Sequence, residues 1–340
     1  MATNNPPKIS VVMPAYNAER FIAEAIGSVM AQTFADWELV IVDDQSTDHT
    51  WEIIQRHARK DPRIKPCRMP QNSGSAYRPR LKAVELAQAE WIVALDADDH
   101  IEEQDLEKML ARQRETGADI VLQQLVAVAE DGQSPAGWEC PAAGFNFDAI
   151  LTGKEACSLT IGEWTINGNG LTCRRLYQEA SRHQTADIGI NSDEYLTRLL
   201  LLAAGKVAFC KARYFYRQNA QSITRKFSTK RFDSLRTDQD LKTLVRQHYG
   251  PHSNEACRMA VQQWNGLLYH SLLLYETPNL PKGTRKALEQ QLLKTWEDID
   301  WKTVEPHLGH RPFSHLLALD FRLYKAIVKG WLLAKRIKRQ

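Results

Sequence analysis

Residues 91–99 read Trp91-Ile92-Val93-Ala94-Leu95-Asp96-Ala97-Asp98-Asp99. Five apolar residues without a polar break describe a buried strand, as in a parallel sheet covered by helices. Three carboxylates within four residues then stand at its carboxyl end. Crowded acids repel one another and resist desolvation unless a cation or hydrogen-bond donors compensate. An oxygen-rich cluster of this kind suits a hard divalent ion, Mg²⁺ or Mn²⁺, that shares its ligands with a phosphate. In open α/β sheets, ligands bind beyond the carboxyl ends of strands, which is where a metal–phosphate site is expected. A solvated Asp-rich turn capping the next helix has the same composition, so the choice between them rests on the remainder of the chain.

Upstream, strand and helix patterns alternate. Ile9 to Met13 reads as a strand that stops at Pro14; a helix follows, with Asn17 as N-cap and Ile22, Ile26, Val29 and Met30 on one face. Trp37 to Val42 is a second strand, ending at Asp43-Asp44; Asp48 to Lys60 is helical, Ile64 to Met69 is a weaker strand, and the helix Arg80 to Ala89 leads into Trp91. This alternation predicts an α/β fold with a mostly parallel, Rossmann-type sheet flanked by helices. Polar clusters recur at three strand ends, Pro14-Ala15-Tyr16-Asn17, Asp43-Asp44-Gln45-Ser46 and the tetrad, and this recurrence favours a site over a mere cap. Residues 119–224 mix strand-like runs (Ile120 to Val128, Val207 to Cys210) with Gly- and Trp-rich loops, and from Arg225 the patterns turn helical. The expected divisions are 1–120, 121–225, a helical extension at 226–310 and a tail at 311–340.

The 340 residues are 43% apolar and 25% charged, ordinary for a globular protein. A formal net charge of +3 conceals an asymmetry, because residues 316–340 carry +6 and the remainder −3. Basic charge confined to one end argues against a nucleic-acid partner. The six cysteines (67, 140, 157, 173, 210 and 257) form no Cys-x-x-Cys pair, which excludes a zinc knuckle or redox dithiol of the usual spacing. A polar N-terminus and the absence of an apolar run of about eighteen residues lead to a cytoplasmic expectation.

No Gly-x-Gly-x-x-Gly follows the first strand and no Gly-Lys-Ser/Thr loop occurs, which disfavours nicotinamide dehydrogenases and P-loop NTPases. The order of the motifs instead resembles a family 2 glycosyltransferase of GT-A fold. They are Val11-Val12-Met13-Pro14-Ala15-Tyr16-Asn17, Ala31-Gln32-Thr33, Glu38 to Asp48, Asn72-Ser73-Gly74 and the tetrad, covering residues 9 to 101, with a fainter continuation at Tyr216-Arg217 and Ser222-Ile223-Thr224. The resemblance implies an inverting, hexosyltransferase-type enzyme of cell-envelope polysaccharide synthesis. It would use a nucleotide-sugar donor, UDP by family habit, and a glycan or lipid-linked acceptor.

The resemblance also assigns roles. Pro14, Ala15, Tyr16 and Asp44 would hold the base and ribose, Asp96 would touch the ribose or a metal-bound water, and Asp98 would ligate the metal bridging both phosphates. Asp99 would share that ligation or cap the next helix. Relatives carry an arginine near the nucleotide, a role that falls here to Arg80 or Arg78. Arg217 and Ser222 would reach the diphosphate. The acidic pair that supplies the base is matched by Asp193-Glu194, in reversed order, so either residue could serve, with Asp193 preferred. Trp164 to Gly170 offers aromatic and amide groups suited to a sugar, or a core tryptophan. A non-catalytic nucleotide or glycan binder and a nucleotidyltransferase remain alternatives; the missing Gly-rich basic loop counts against the second.

The last segment has Leu316, Leu319, Leu323, Ile327 and Trp331 at helical spacing, with Arg322, Lys325, Lys329 and Arg336 largely off that stripe. This pattern predicts a basic amphipathic helix on an anionic membrane surface, at the inner face of the cell membrane; a helix packed on its own domain or on a second copy has the same periodicity.

Overall fold

The computed structural model describes residues 6–181, 191–219, 228–277, 279–308 and 313–337. It forms two compact units, Met1–Asp187 with Leu196–Ser222, and Ile188–Tyr195 with Ile223–Gln340.

The first unit is built on one sheet. Its elements run β1 (Ile9–Ala15), α1 (Ile22–Met30), β2 (Trp37–Asp43), α2 (Thr50–Ala58), β3 (Ile64–Arg68), α3 (Tyr77–Leu86), β4 (Trp91–Ala94), β5 (His100–Ile101), α4 (Asp105–Thr116), β6 (Ile120–Val128), β7 (Pro135–Cys140), β8 (Ile150–Leu151), α5 (Gly153–Ser158), β9 (Gly170–Cys173), α6 (Arg174–Ser181), α7 (Ser192–Ala203) and β10 (Val207–Arg217). The first turn of α7 belongs to the second unit. Strand order is β3-β2-β1-β4-β9-β6-β10-β5, with β7 also on β6 and β8 on β10. β1, β2, β3 and β4 pair in parallel, as the helical crossovers between them require. β1 and β2 are buried along their whole length, which explains why they are apolar apart from Ser10, Glu38 and the terminal Asp43. β9 pairs antiparallel with both β4 and β6, so β6 and its parallel neighbour β10 run in the direction of β4. The carboxyl ends of β1, β2, β4, β6 and β10 therefore share one edge.

The α/β fold and the first four strands follow the sequence reading. The antiparallel partners lie in the other half of the sheet, and β10 runs on to Arg217, well beyond Cys210. One local expectation is corrected. α1 starts at Ile22 behind Phe21, not behind Asn17. Asn17 adopts φ 49° and instead its Oδ1 accepts the Thr47 N–H at 2.8 Å, tying the loop after β1 to the loop after β2.

The second unit holds α8 (Ser234–Tyr249), α9 (Asn254–Glu276), α10 (Lys282–Asp298), α11 (Trp301–Val304) and α12 (Phe321–Ile337). Its core is rich in large rings. Trp264 lies edge-on to Trp301 and Tyr324, and Phe321 stacks on Tyr324. Trp296 Nε1 donates to Leu317 O (2.9 Å), and the Tyr324 hydroxyl meets Ser271 Oγ (2.7 Å).

The tail expectation changes here. The apolar face of α12 is covered by its own unit, with Tyr324, Ile327, Val328 and Leu332 buried and Leu323 and Trp331 packed against the same core. Leu319 precedes the helix and is 68% exposed, so it does not continue the stripe. Arg322, Lys329 and Lys335 form the outward basic side. Among the described residues, no helix is long and apolar enough to cross a membrane.

Candidate active site

Strand order assembles the site. β2, β1 and β4 are neighbours, and the register Ala15↔Asp43 sets Tyr16 beside Asp44 at the sheet edge. The Leu95 N–H donates to Val12 O (3.0 Å), so the tetrad leaves the sheet next to the end of β1. Pro14 and Ala15 are buried in β1, whereas Tyr16 is 49% exposed and offers a ring face to a ligand.

The loops around this edge are laced together. Asp43 is fully buried, accepts the Ser46 N–H and pairs with Arg68 (Nε–Oδ2 2.9 Å). Asp44 accepts from the Ser73 N–H (2.9 Å) and hydroxyl (2.9 Å), while Asn72 Nδ2 donates to its carbonyl (2.7 Å). Asp44 thus faces the Asn72-Ser73 turn, and the two loops together make a polar cradle beside Tyr16. Arg80, buried on α3, donates to Asp96 Oδ1 at 2.6 Å; Arg78 is exposed.

Within the tetrad the carboxylates divide. Asp99 is buried, with Oδ2 accepting from the Tyr214 hydroxyl (2.7 Å) and Oδ1 from the Arg217 N–H (2.8 Å). The same hydroxyl lies 3.1 Å from the Asp96 N–H. Burial, then Asp98 and Asp96, push the Asp99 carboxyl well above the ordinary range. Both Asp99 oxygens are engaged inside the protein, so Asp99 anchors the loop to β10 in place of the shared ligation expected of it. Asp98 is half-buried, and its carboxyl is raised to about 6, first by desolvation and then by Asp96, against a smaller opposing pull from Arg217. A divalent cation would relieve that cost.

Arg217 also departs from expectation. Its guanidinium is buried and turned inward, with Nε donating to Asp98 O (2.8 Å), one terminal nitrogen to Glu130 O (2.7 Å) and the other pairing with Glu24 (2.7 Å). The group also lies over the Phe21 ring. It is a clamp on the tetrad backbone instead of a diphosphate ligand. Gly132 makes room for it, since a Cβ there would stand 2.6 Å from the guanidinium. Tyr214 and the Arg217 clamp escape sequence reasoning because each acts across more than 110 residues. The only sequence trace is the aromatic run Tyr214-Phe215-Tyr216 in β10.

Asp193 and Glu194 stand in the first turn of α7, within the second unit. Asp193 is exposed, while Glu194 is partly buried and accepts from Gln262 Nε2 at 2.8 Å. Ser222 lies outside the described residues. Trp164 is 43% exposed, so it is not a core residue. Among the described residues, no three His, Cys, Asp or Glu side chains gather as a ready-made metal cage. The donor set suits Mg²⁺ or Mn²⁺ held by one or two carboxylates, Asp98 with Asp96 beside it, and completed by substrate phosphates.

Comparison with known proteins gives a consistent picture. The family model described as Glycosyl transferase family 2 matches residues 10–139. TuaG of Bacillus subtilis (strain 168), a protein named for teichuronic acid biosynthesis, is 38% identical over 130 residues, 38% of this chain and 51% of that protein. The uncharacterized glycosyltransferase EpsJ of the same organism is 25% identical over 346 residues, 98% of this chain and 95% of its own. The chain thus matches about half of TuaG and nearly all of EpsJ. The crystal structure of S. aureus TarS 1-349 in complex with UDP-GlcNAc superposes with a TM-score of 0.68 at 18% identity, over 96% of this chain and 92% of that one, a likeness of fold. The family match runs from β1 into β7 and contains Tyr16, Asp44 and the whole tetrad, so this part of the chain is similar to glycosyl transferase family 2.

Proposed function

We propose that the protein transfers a sugar from a nucleoside-diphosphate sugar, UDP-linked, to a hydroxyl of a cell-envelope glycan or lipid-linked acceptor, in one inverting displacement assisted by Mg²⁺ or Mn²⁺. The observation that carries this reading is the convergence of three polar strand ends, after β1, β2 and β4, on one sheet edge. Tyr16 would take the base on its exposed face, and Asp44 with the Asn72-Ser73 turn would receive its polar edge and the ribose. Asp98 would hold the metal, with Asp96 beside it kept in place by Arg80. The metal supplies Lewis-acid stabilisation of the departing diphosphate. The acceptor oxygen bonds to the anomeric carbon as the bond to the phosphate oxygen breaks, and its proton passes to an acid of the Asp193-Glu194 pair. The Gln262 hydrogen bond, which orients Glu194, supports that residue as the base. The names of TuaG and of the TarS complex support the envelope setting and the uridine nucleotide. The outward basic side of α12 supports attachment to anionic lipid at the inner membrane face.

The test is Asp98→Ala, assayed by donor turnover with and without Mn²⁺. Several kcal/mol of metal assistance correspond to a loss of about 10³-fold, with the metal-free melting temperature unchanged or higher because a repulsive buried carboxylate is gone. Undiminished Mn²⁺-dependent turnover would sink the assignment.

A further inference from the structure

β7 carries an exposed indole that the proposed chemistry does not use. Trp138 is 47% exposed, and its ring lies 5.9 Å from that of Tyr216 on β10, tilted by 50°. The two strands flank β6, where Tyr216 is opposite Ala127. Ala127 is buried and small, which lets the rings meet above it. The base of the pair is stitched down: Asn167 Nδ2 donates to Cys140 O (2.6 Å) and Gln123 O (2.8 Å), fastening the Trp164 loop to the end of β7.

Position gives this pair its meaning. Tyr214 and Tyr216 point to the same side of β10, and the Tyr214 hydroxyl touches Asp99 and the Asp96 N–H. Tyr216 is therefore one strand repeat, roughly 7 Å, from a residue that holds the tetrad. Tyr16 and Asp44 lie at β1 and β2, four and five strands from β10, or roughly 19 Å and more at ordinary strand spacing. The tetrad stands between them. A nucleoside on the β1–β2 side leaves the aromatic pair on the sugar side.

We propose that Trp138 and Tyr216 form a stacking subsite for a pyranose ring of the acceptor glycan. The inference rests on the glycosyl-transfer reading above. The apolar C–H face of a pyranose matches an exposed indole. The ring belongs to the acceptor and not the donor, because a donor sugar must be shielded from water to suppress its hydrolysis, whereas this indole is half open to solvent. Truncation of an exposed ring should leave the fold intact.

The experiment is saturation-transfer NMR on the full chain with methyl β-D-glucopyranoside and methyl N-acetyl-β-D-glucosaminide, with ribitol as a control that lacks a ring face. UDP and UDP-GlcNAc affinities are measured in parallel with Mn²⁺. The wild type should transfer saturation to the C–H face of at least one glycoside, also with UDP bound, and not to ribitol. Trp138→Ala should weaken that glycoside about five- to tenfold, Trp138→Phe less, and neither should change UDP affinity. No transfer in the wild type, or equal transfer in Trp138→Ala, overturns the subsite. A loss of UDP-GlcNAc affinity in Trp138→Ala with UDP unaffected overturns the acceptor assignment in favour of the donor sugar. Failure of the wild type to bind UDP would instead count against the nucleotide-sugar reading, whatever the glycosides do.

Discussion

The two units bury polarity for different ends. In the first, charged groups are buried next to the sheet edge where the ligand is expected. Asp99, Arg217 and Arg80 are largely withdrawn from water, and their hydrogen bonds converge on the tetrad. In the second, the interior is a layer of rings, and its buried polar groups join one helix to another. Lys242 donates to Asp298 O (2.6 Å) and Gln263 to Asp298 Oδ2 (2.6 Å), linking α8, α9 and α10. A buried ionic network is weak evidence for stability, because desolvation offsets most of its attraction. Its concentration around one loop of the first unit indicates that it fixes geometry. The ring packing of the second unit holds that unit together.

The largest effect that could break this contrast is at Arg217. Arg217→Met removes the cation but leaves Glu24 and the Asp98 and Glu130 carbonyls without their donor, at a cost of about 3 kcal/mol. Metal-dependent turnover should fall about 10²-fold as the tetrad loosens. Urea unfolding and donor turnover read the two effects separately; a variant as stable and active as the wild type would mean that the clamp holds nothing.

A smaller effect sharpens the second half of the comparison. His270, on α9, is buried, with Nδ1 2.7 Å from Gly266 O and Nε2 2.9 Å from Arg231 O. Burial lowers its affinity for a proton, against a partial opposing pull from those two carbonyls. The unfolded chain then binds more protons than the folded one below about pH 6.5, so stability is present above that pH and is lost as pH falls through it. His270→Gln should flatten the decline between pH 7 and 5 in a series of urea melts; an identical decline would place its cause elsewhere.

For a single residue, the smallest effect concerns the surface of the same unit. With the apolar face of α12 packed inward, the proposed attachment to anionic vesicles would depend on Arg322, Lys329 and Lys335, each worth about 1 kcal/mol near such a surface. Reversing all three to Glu should abolish co-sedimentation with phosphatidylserine-containing liposomes. Unchanged co-sedimentation would remove α12 as the contact.

Much of the first unit was legible because β1, β2 and β4 are buried on both faces and so appear as largely apolar runs closed by polar residues. β9 was not legible: Gly170–Cys173 is too short for a run or an alternation to register. The site was legible where the residues are local to strand ends, as with Tyr16, Asp44 and the tetrad. It was opaque where a role is defined by distant partners. Arg217 reads as a diphosphate ligand because nothing near it in sequence shows Glu24, Glu130 and Asp98 closing around it. The packing of the tail was hidden for a related reason. Its periodicity is that of a buried face, and Tyr324, which a count of aliphatic residues omits, is at the centre of the face that the helix buries.

Gly132 adopts φ +77° in the turn between β6 and β7, and the space its missing side chain leaves is filled by the Arg217 guanidinium. A side chain at 132 and the guanidinium at 217 therefore compete for one space. In a library that randomises both, arginine at 217 should be enriched among active clones that keep glycine at 132.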